Sequence, residues 1–325
     1  MLQALVTELL TAAVTQRASD VYLIPAGQAM IIRLRTAKGL RRWRTVPLAT
    51  GNQLLTYFKF HADMAVSERR RPQSGALTWQ QTTPPVDLRF STVGDYAGRE
   101  SLVIRVIYPY QHLAMAYLVP EQVLRLQALA TQRGLCLFAG PTGSGKTTTM
   151  YTLAQQMATT AVVLTIEDPV EIKEPQFLQL QVNPTAGMDY VELLKLGLRH
   201  RPDVFIIGEI RDTETAQAAV RAALSGHLVL STVHARSAGG TVTRLLELGV
   251  DRQQLRQTLT LACYQRLIPR VAQGPAVLFD VAAADDLWQA STGMQKGWHD
   301  ALESAVTTRT ITAVTAVTAQ RYANG

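Results

Sequence analysis

The chain has 325 residues, enough for about two domains, each with its own core. A hydrophobic share of 47% with 18% charged residues excludes a disordered chain, and no apolar stretch reaches the roughly 18 residues that a membrane span needs. A net charge of +7 permits contact with nucleic acid or an anionic membrane without selecting either, and two cysteines, Cys136 and Cys263, exclude a disulfide framework.

The first eight residues carry an early acid, Glu8, and no basic run, so they do not read as a secretion signal. Leu2, Leu5, Val6, Leu9, Leu10 and Ala13 recur at helical spacing and predict an amphipathic helix over 2–17. Residues 18–25 read as a turn into a strand. Met30 to Leu34 alternates, turns at Lys38-Gly39 and returns through Leu40 to Val46, a hairpin pattern. Its arginines (Arg33, Arg35, Arg41, Arg42, Arg44) fall largely on one side of that alternation, as a solvated face or a basic surface. A helix over 51–66, a turn at 69–75 and strands near 76–80, 86–92 and 101–107 complete a small α+β domain, residues 1–110. Prolines 109 and 120 bracket a linker, 111–119. From 120 to 325 apolar runs at 135–139, 161–166, 204–207 and 228–233 alternate with helical stretches. That pattern predicts an α/β, doubly wound, mainly parallel sheet. The Thr/Ala/Val-rich stretch 304–318 matches no element clearly, and there is no internal repeat.

The first of those runs leads into Gly140-Pro141-Thr142-Gly143-Ser144-Gly145-Lys146-Thr147, which fits the phosphate-binding pattern G-x-x-x-x-G-K-[ST]. Glycines let backbone N–H groups close on phosphate oxygens, and the helix that Thr147 and Thr148 open adds partial positive charge at its N-terminus. Lys146 is placed to reach the β- and γ-phosphates of a nucleotide and Thr147 to ligate Mg²⁺. In such a sheet ligands bind beyond the carboxyl ends of the strands. There the later runs end in Glu167-Asp168, Gly208-Glu209 and Ser231-Thr232-Val233-His234. Glu209 stands where a P-loop enzyme keeps the carboxylate that activates water. Gly208 occupies the place of the usual magnesium-holding aspartate, so metal contacts fall to Thr147, Glu167 and Glu209. His234 is a candidate γ-phosphate sensor. His227, seven residues earlier, faces the opposite way or sits at the other end of the same strand and is not its metal partner.

These motifs resemble those of the secretion ATPases of the type II/type IV pilus class, over nearly all of residues 18–270. GPTGSGKTTTMY at 140–151 resembles the family's Walker A, TIEDPVE at 165–171 its Asp box, LRHRPDVFIIGEIRD at 198–212 its Walker B with a glycine before the catalytic glutamate, and SGHLVLSTVHA at 225–235 its His box. The resemblance implies a PAS-like N-terminal domain and a RecA-like ATPase domain ending in helices that begin near Gln265-Arg266-Leu267. It implies ATP and Mg²⁺, with His227 in the nucleotide-binding set and Glu167, Glu209 and His234 in catalysis. It further implies a hexamer in which arginines of the small domain complete a nucleotide site. DLRFSTVGDYAGRESLVIRVI at 87–107 makes Arg89 and Arg105 the first candidates and Arg99 a weaker one.

The chain starts almost at ASDVYLIP, residues 18–25, which resembles the family's ASDIHIEP segment, and it lacks a tetracysteine insertion, which makes it most similar to the competence-pseudopilus branch of Gram-positive bacteria. Implied partners are a polytopic platform protein of the cytoplasmic membrane and, indirectly, pilin-like subunits. The implied location is cytoplasmic, peripheral at the inner face of the membrane. Retraction or general secretion is the alternative within the family. A DNA translocase is a reading from another class, but no nucleic-acid module accompanies the charge, and direct nucleic-acid binding is not expected. A catalytically dead nucleotide sensor conflicts with the intact Lys146, Thr147, Glu167 and Glu209.

Overall fold

The computed structural model describes residues 2–36, 39–108, 115–183, 186–272, 274–289 and 293–321. The chain divides into two compact units, Met1–Leu113 and Ala114–Gly325. The six residues 109–114, on which much of the expected linker falls, lie outside the described residues. Residues 116–118 belong to the second unit, since the Leu118 N–H donates to Val277 (2.8 Å) and the Val277 N–H to Ala116 (2.7 Å).

The first unit holds six strands: β1 (Asp20–Ala26), β2 (Ala29–Thr36), β3 (Gly39–Pro47), β4 (Gln73–Trp79), β5 (Val86–Gly94) and β6 (Glu100–Ile107). They form one antiparallel sheet in the order β3-β2-β1-β6-β5-β4. Helices α1 (Leu2–Thr15) and α2 (Leu48–His61) cover one face, where Val6, Leu9, Leu54 and Phe58 pack on Val21, Leu23, Ile32, Phe90 and Ile104. Apolar spacing of 3.6 in the helices and 2 in the strands makes this core, as the sequence pattern predicts. The second helix is displaced from its expected span of 51–66. It starts directly after Pro47, runs through Gly51, and stops before Asp63, which takes a φ of +55°. Gly51 looks like a breaker in sequence, but here it admits the sheet: an added Cβ would lie 2.4 Å from the Met30 Cβ. The expected turn at 69–75 is likewise shorter, since Gln73, Ser74 and Gly75 already pair in β4.

The arginine hairpin also differs from expectation. Its tip, residues 37–38, lies outside the described residues. Pairing slips between Ile32 and Arg33, which face Arg44 and Arg42 and leave Trp43 as a bulge. Directly paired residues share a face, so the bulge splits the set. Arg33, Arg35 and Arg42 lie on the face away from the helices. Arg41 and Arg44 lie on the helix side, where Arg44 pairs with Glu8 of α1.

Between α2 and β6, the Lys59 ammonium is buried and donates to Glu100 Oε1 at 2.7 Å and to the Glu68 carbonyl. Removing one member of such a pair strands the other charge in a low-dielectric site. Glu100→Gln is therefore expected to cost about 3 kcal/mol, read as a lowered urea midpoint for this unit. An unchanged midpoint would show the pair contributes nothing.

The second unit is built on β7 (Gly134–Ala139), β8 (Val163–Glu167), β9 (Leu178–Gln181), β10 (Val204–Ile210), β11 (Leu228–Val233), β12 (Leu259–Ile268) and β13 (Ala276–Ala283). The order is β13-β12-β7-β11-β10-β8-β9, all neighbours parallel except β12 and β13. The helices are α3 (Pro120–Leu129), α4 (Lys146–Met157), α5 (Tyr190–Arg199), α6 (Thr213–Leu224), α7 (Gly240–Glu247), α8 (Arg252–Thr258), α9 (Ala284–Gln289), α10 (Lys296–Thr307) and α11 (Ala313–Arg321). The expected α/β, doubly wound and mainly parallel architecture is present. Its four central strands are the four apolar runs, buried on both faces as such strands must be. Three outer strands were not expected. Gln265-Arg266-Leu267 sits inside β12, not at the start of a helix, and the C-terminal helices begin only after β13. Residues 304–318 span the end of α10, a turn with Arg309 at φ +57°, and most of α11. Among the described residues no helix is long and apolar enough to cross a membrane.

Candidate active site

At the carboxyl end of β7 the backbone enters residues 140–145 with three glycines at positive φ: Gly140 (140°), Gly143 (77°) and Gly145 (87°). No side chain fits at Gly140, because a Cβ there would lie 2.3 Å from the Gln265 carbonyl oxygen of β12. Gly145 caps α4, so the loop N–H groups and the N-terminus of a twelve-residue helix share one concavity. Pro141, Thr142 and Gly143 are exposed, Ser144 is buried, and Thr147 and Thr148 are half-buried in the first turn. The Lys146 ammonium donates to the carbonyls of Gly140 (2.9 Å) and Pro141 (3.0 Å). Burial pulls its pKa below the ordinary range, and the carboxylates of Glu209 and Glu171 oppose that shift. Lys146 and Glu209 thus share one electrostatic environment although 63 positions separate them.

Glu209 owes its position to an irregularity in β10. Ile207 pairs with Ser231 and Ile210 with Val233, so the two residues between them, Gly208 and Glu209, face a single residue of β11. Such a bulge re-aims a side chain at the end of a strand. Hydroxyls of β11 fasten it: Ser231 Oγ donates to the Ile207 carbonyl (2.7 Å) and Thr232 Oγ1 to that of Gly208 (2.8 Å). The Glu209 carboxylate accepts from Arg211, and His234 Nε2 lies 3.8 Å from its Oε2.

Glu167, the last residue of β8, is buried and accepts from the Tyr151 hydroxyl. Gln179 donates in turn to that hydroxyl at 2.8 Å. Burial raises the Glu167 pKa, and the Tyr151 hydrogen bond works against the rise. The same packing makes position 208 tight. A Cβ there would stand 3.3 Å from the Tyr190 hydroxyl, which would have to give by a few tenths of an ångström, and 3.4 Å from Glu167 Cα and Cγ, an ordinary contact.

The P-loop, Glu167, Glu209 and His234 therefore come together at one end of the second sheet. His227 does not join them. It precedes β11 at the other end, roughly 20 Å of strand away from His234. Its Nδ1 lies 3.0 Å from the Ala222 carbonyl oxygen, and its ring meets Phe205 edge-on. Arg89 and Arg105 lie in the first unit, directly paired across β5 and β6. Arg105 Nε lies 3.3 Å from Asp20 Oδ1. Arg99 is tied into its own turn by Asp95 at 2.8 Å.

Among the described residues no cluster of three or more His, Cys, Asp or Glu side chains could cage a metal ion. Mg²⁺ needs no such cage: it keeps several waters and takes one or two protein oxygens beside substrate phosphates. The Thr147 hydroxyl with Glu167 and Glu209 suits that sparse mode, and the glycine cradle suits a phosphate chain.

Sequence reasoning missed the contribution of β12. Gln265 is fully buried and donates from Nε2 to the Ser144 carbonyl at 2.7 Å, holding the P-loop from below. Arg236, Tyr264 and Arg266 line a cleft of about 370 Å³ together with Gly140, Pro141 and His234. Glu171 and Arg211 stood within the quoted motifs, whereas nothing in the apolar periodicity marks a glutamine on a strand that was not expected. Gln265→Met keeps the volume but removes the tether. Its expected effect is about a tenfold loss of nucleotide affinity for one lost buried hydrogen bond, measured with a fluorescent ATP analogue. Parent affinity would show that the tether does not set the loop.

A family model described as "Type II/IV secretion system protein" matches residues 1–322. The competence protein ComGA of Streptococcus pneumoniae is 42% identical over 285 residues, 88% of this chain and 89% of that protein. ComGA of Bacillus subtilis is 42% identical over 257 residues, 78% of this chain and 72% of that protein. Among solved structures, the pilus retraction motor PilT with bound ADP has a TM-score of 0.73 at 23% identity, covering 96% of each chain. The ATPase DotB of Legionella pneumophila has a TM-score of 0.77 at 18% identity, covering 97% of this chain and 95% of its own. These two likenesses are of fold.

Proposed function

Because the chain belongs to the type II/IV secretion system protein family, we propose that it is an ATP-hydrolysing motor that powers assembly of a type IV pilus-like competence pseudopilus for DNA uptake. The observation that carries the hydrolytic part is Glu209, set by the β10 bulge beside His234 and in the field of the P-loop Lys146. The competence assignment rests on the 42% identity to ComGA, which extends over most of both chains.

In this reading Gly140 to Thr148 wrap the phosphates of ATP, and Lys146 moves its ammonium from the loop carbonyls onto β- and γ-phosphate oxygens. Glu209 orients a water for in-line attack and accepts its proton; His234 reports the γ-phosphate to β11. Glu167, held by Tyr151, and Thr147 supply oxygens on the metal side of the site. Mg²⁺, when bound, would supply charge neutralisation to the phosphate oxygens. Arg89 and Arg105 complete a nucleotide site in a homo-hexamer, where an added arginine raises turnover on the order of 10³ or more and couples domain rotation to phosphate charge. A role for His227 in nucleotide binding would have to act through β11. The motor works at the cytoplasmic face of the membrane against a polytopic platform protein and, through it, pilin-like subunits.

Steady-state phosphate release by the purified chain tests the reading. Hydrolysis of ATP that chelation of Mg²⁺ abolishes is the expected result. No release, in a preparation that sizes as a hexamer and binds ATP, would reject the motor.

A further inference from the structure

The entire charge excess lies in the first unit, which carries fourteen Lys and Arg against seven Asp and Glu, while the second carries eighteen of each. No acid occurs between Asp20 and Asp63, and that stretch builds the β2–β3 rim of the sheet. On the rim, Arg35, Arg41 and Arg42 are exposed and Arg33 is half-buried. Among the described residues Arg33, Arg41 and Arg42 form no ion pair with a carboxylate, Arg35 stands opposite Asp20 in the β1–β2 register and feels its charge without an ion pair to it, and Arg44 is neutralised by Glu8. Arg35 keeps its charge while donating to the Tyr22 hydroxyl at 3.0 Å.

We propose that this rim docks on an anionic lipid bilayer, its guanidiniums taking headgroup phosphates. Planar guanidinium forks match phosphate oxygens in pairs, and each cation held near an anionic surface adds to binding. The local geometry selects a bilayer over other polyanions. Strand addition by an acidic peptide is obstructed, because β3 is bulged at Trp43 and lined with charge. Single-stranded nucleic acid needs bare aromatic platforms, and here both are capped: Arg44 lies 4.5 Å over Trp43 and Arg35 5.4 Å over Tyr22. What remains is a sheet edge with cations on both faces and an exposed Leu40 opposite Arg35, a set suited to a phosphate surface with an apolar layer beneath. The proposal rests on the rim alone and is independent of the ATPase reading.

The test is co-sedimentation of the full chain with vesicles of phosphatidylcholine mixed with phosphatidylglycerol, beside vesicles of phosphatidylcholine alone. The parent is expected to pellet with the mixed vesicles at low salt, to be released by high salt, and to ignore the neutral ones. Arg33→Gln/Arg35→Gln/Arg42→Gln should lower partitioning by about a hundredfold with an unchanged Tm. Arg69→Gln/Arg70→Gln/Arg71→Gln removes equal charge from exposed positions elsewhere in the same unit and should retain most of the binding. Equal losses in the two variants would reduce the effect to net charge and overturn the proposal. Binding by the rim variant at the parent level would overturn it too, as would rim-dependent DNA binding with no vesicle binding.

Discussion

Lys146→Ala is expected to abolish ATP turnover, with a loss on the order of 10³ or more in kcat/KM, comparable to removing a phosphate-neutralising cation from a phosphoryl-transfer site. The lysine's ammonium already touches the loop, at the Gly140 and Pro141 carbonyls. It is held there partly desolvated, so its charge acts on a phosphate with less screening than a surface lysine would have. The fold should survive, because Pro141 is exposed and the tether from Gln265 to Ser144 is untouched. Steady-state hydrolysis and a thermal melt on the same preparation separate the two effects. Parent-level hydrolysis by the variant would remove this loop from the catalytic site.

For Glu209→Gln the expected outcome is different in kind: ATP still binds, while kcat falls by about 10²–10⁴, the range that a positioned general base contributes. The amide is nearly isosteric and can still accept from Arg211, so the bulge between Ile207 and Ile210 should persist. What it cannot do is take a proton. A fluorescent ATP analogue reads binding, and single-turnover hydrolysis reads chemistry. Should the variant turn over at the parent rate, the base is another group, and Glu167 would be next, although its burial and its bond to Tyr151 suit it better to a fixed acceptor. Loss of both binding and turnover would instead make Glu209 part of the loop's support.

Which parts of this architecture could be read in advance follows from how local each signal is. The P-loop is a contiguous pattern whose glycines are required by backbone geometry at those same positions. The four central strands are apolar on both faces, so they appear as uninterrupted runs. Polar residues directly after such runs must sit at the strand ends, which placed Glu167, Glu209 and His234 correctly. The same logic left His227 open between two places, and the start of β11 decided for the far end of the sheet. Strands β12 and β13 were not legible. Gln265 and Arg266 interrupt the apolar pattern of β12, and the reason for Gln265 is a carbonyl more than a hundred residues away at Ser144. The Trp43 bulge that divides the arginines of the hairpin is likewise a pairing event between two strands.

The sequence by itself determined the α/β class, the glycine turn of residues 140–145, the carboxylates that stand beyond the strand ends and the family to which the chain belongs. Each of these is written in short runs of residues whose chemistry is local. Only the tertiary structure decided what surrounds position 208, where the Tyr190 hydroxyl and Glu167 come close to the space of a side chain. The tertiary structure alone also decided that a buried glutamine of β12 holds the P-loop, and that Arg33, Arg35 and Arg42 share a face while Arg41 and Arg44 do not. Those outcomes depend on which strands become neighbours and in what register, and register is fixed by the packing of the whole sheet and by no segment alone.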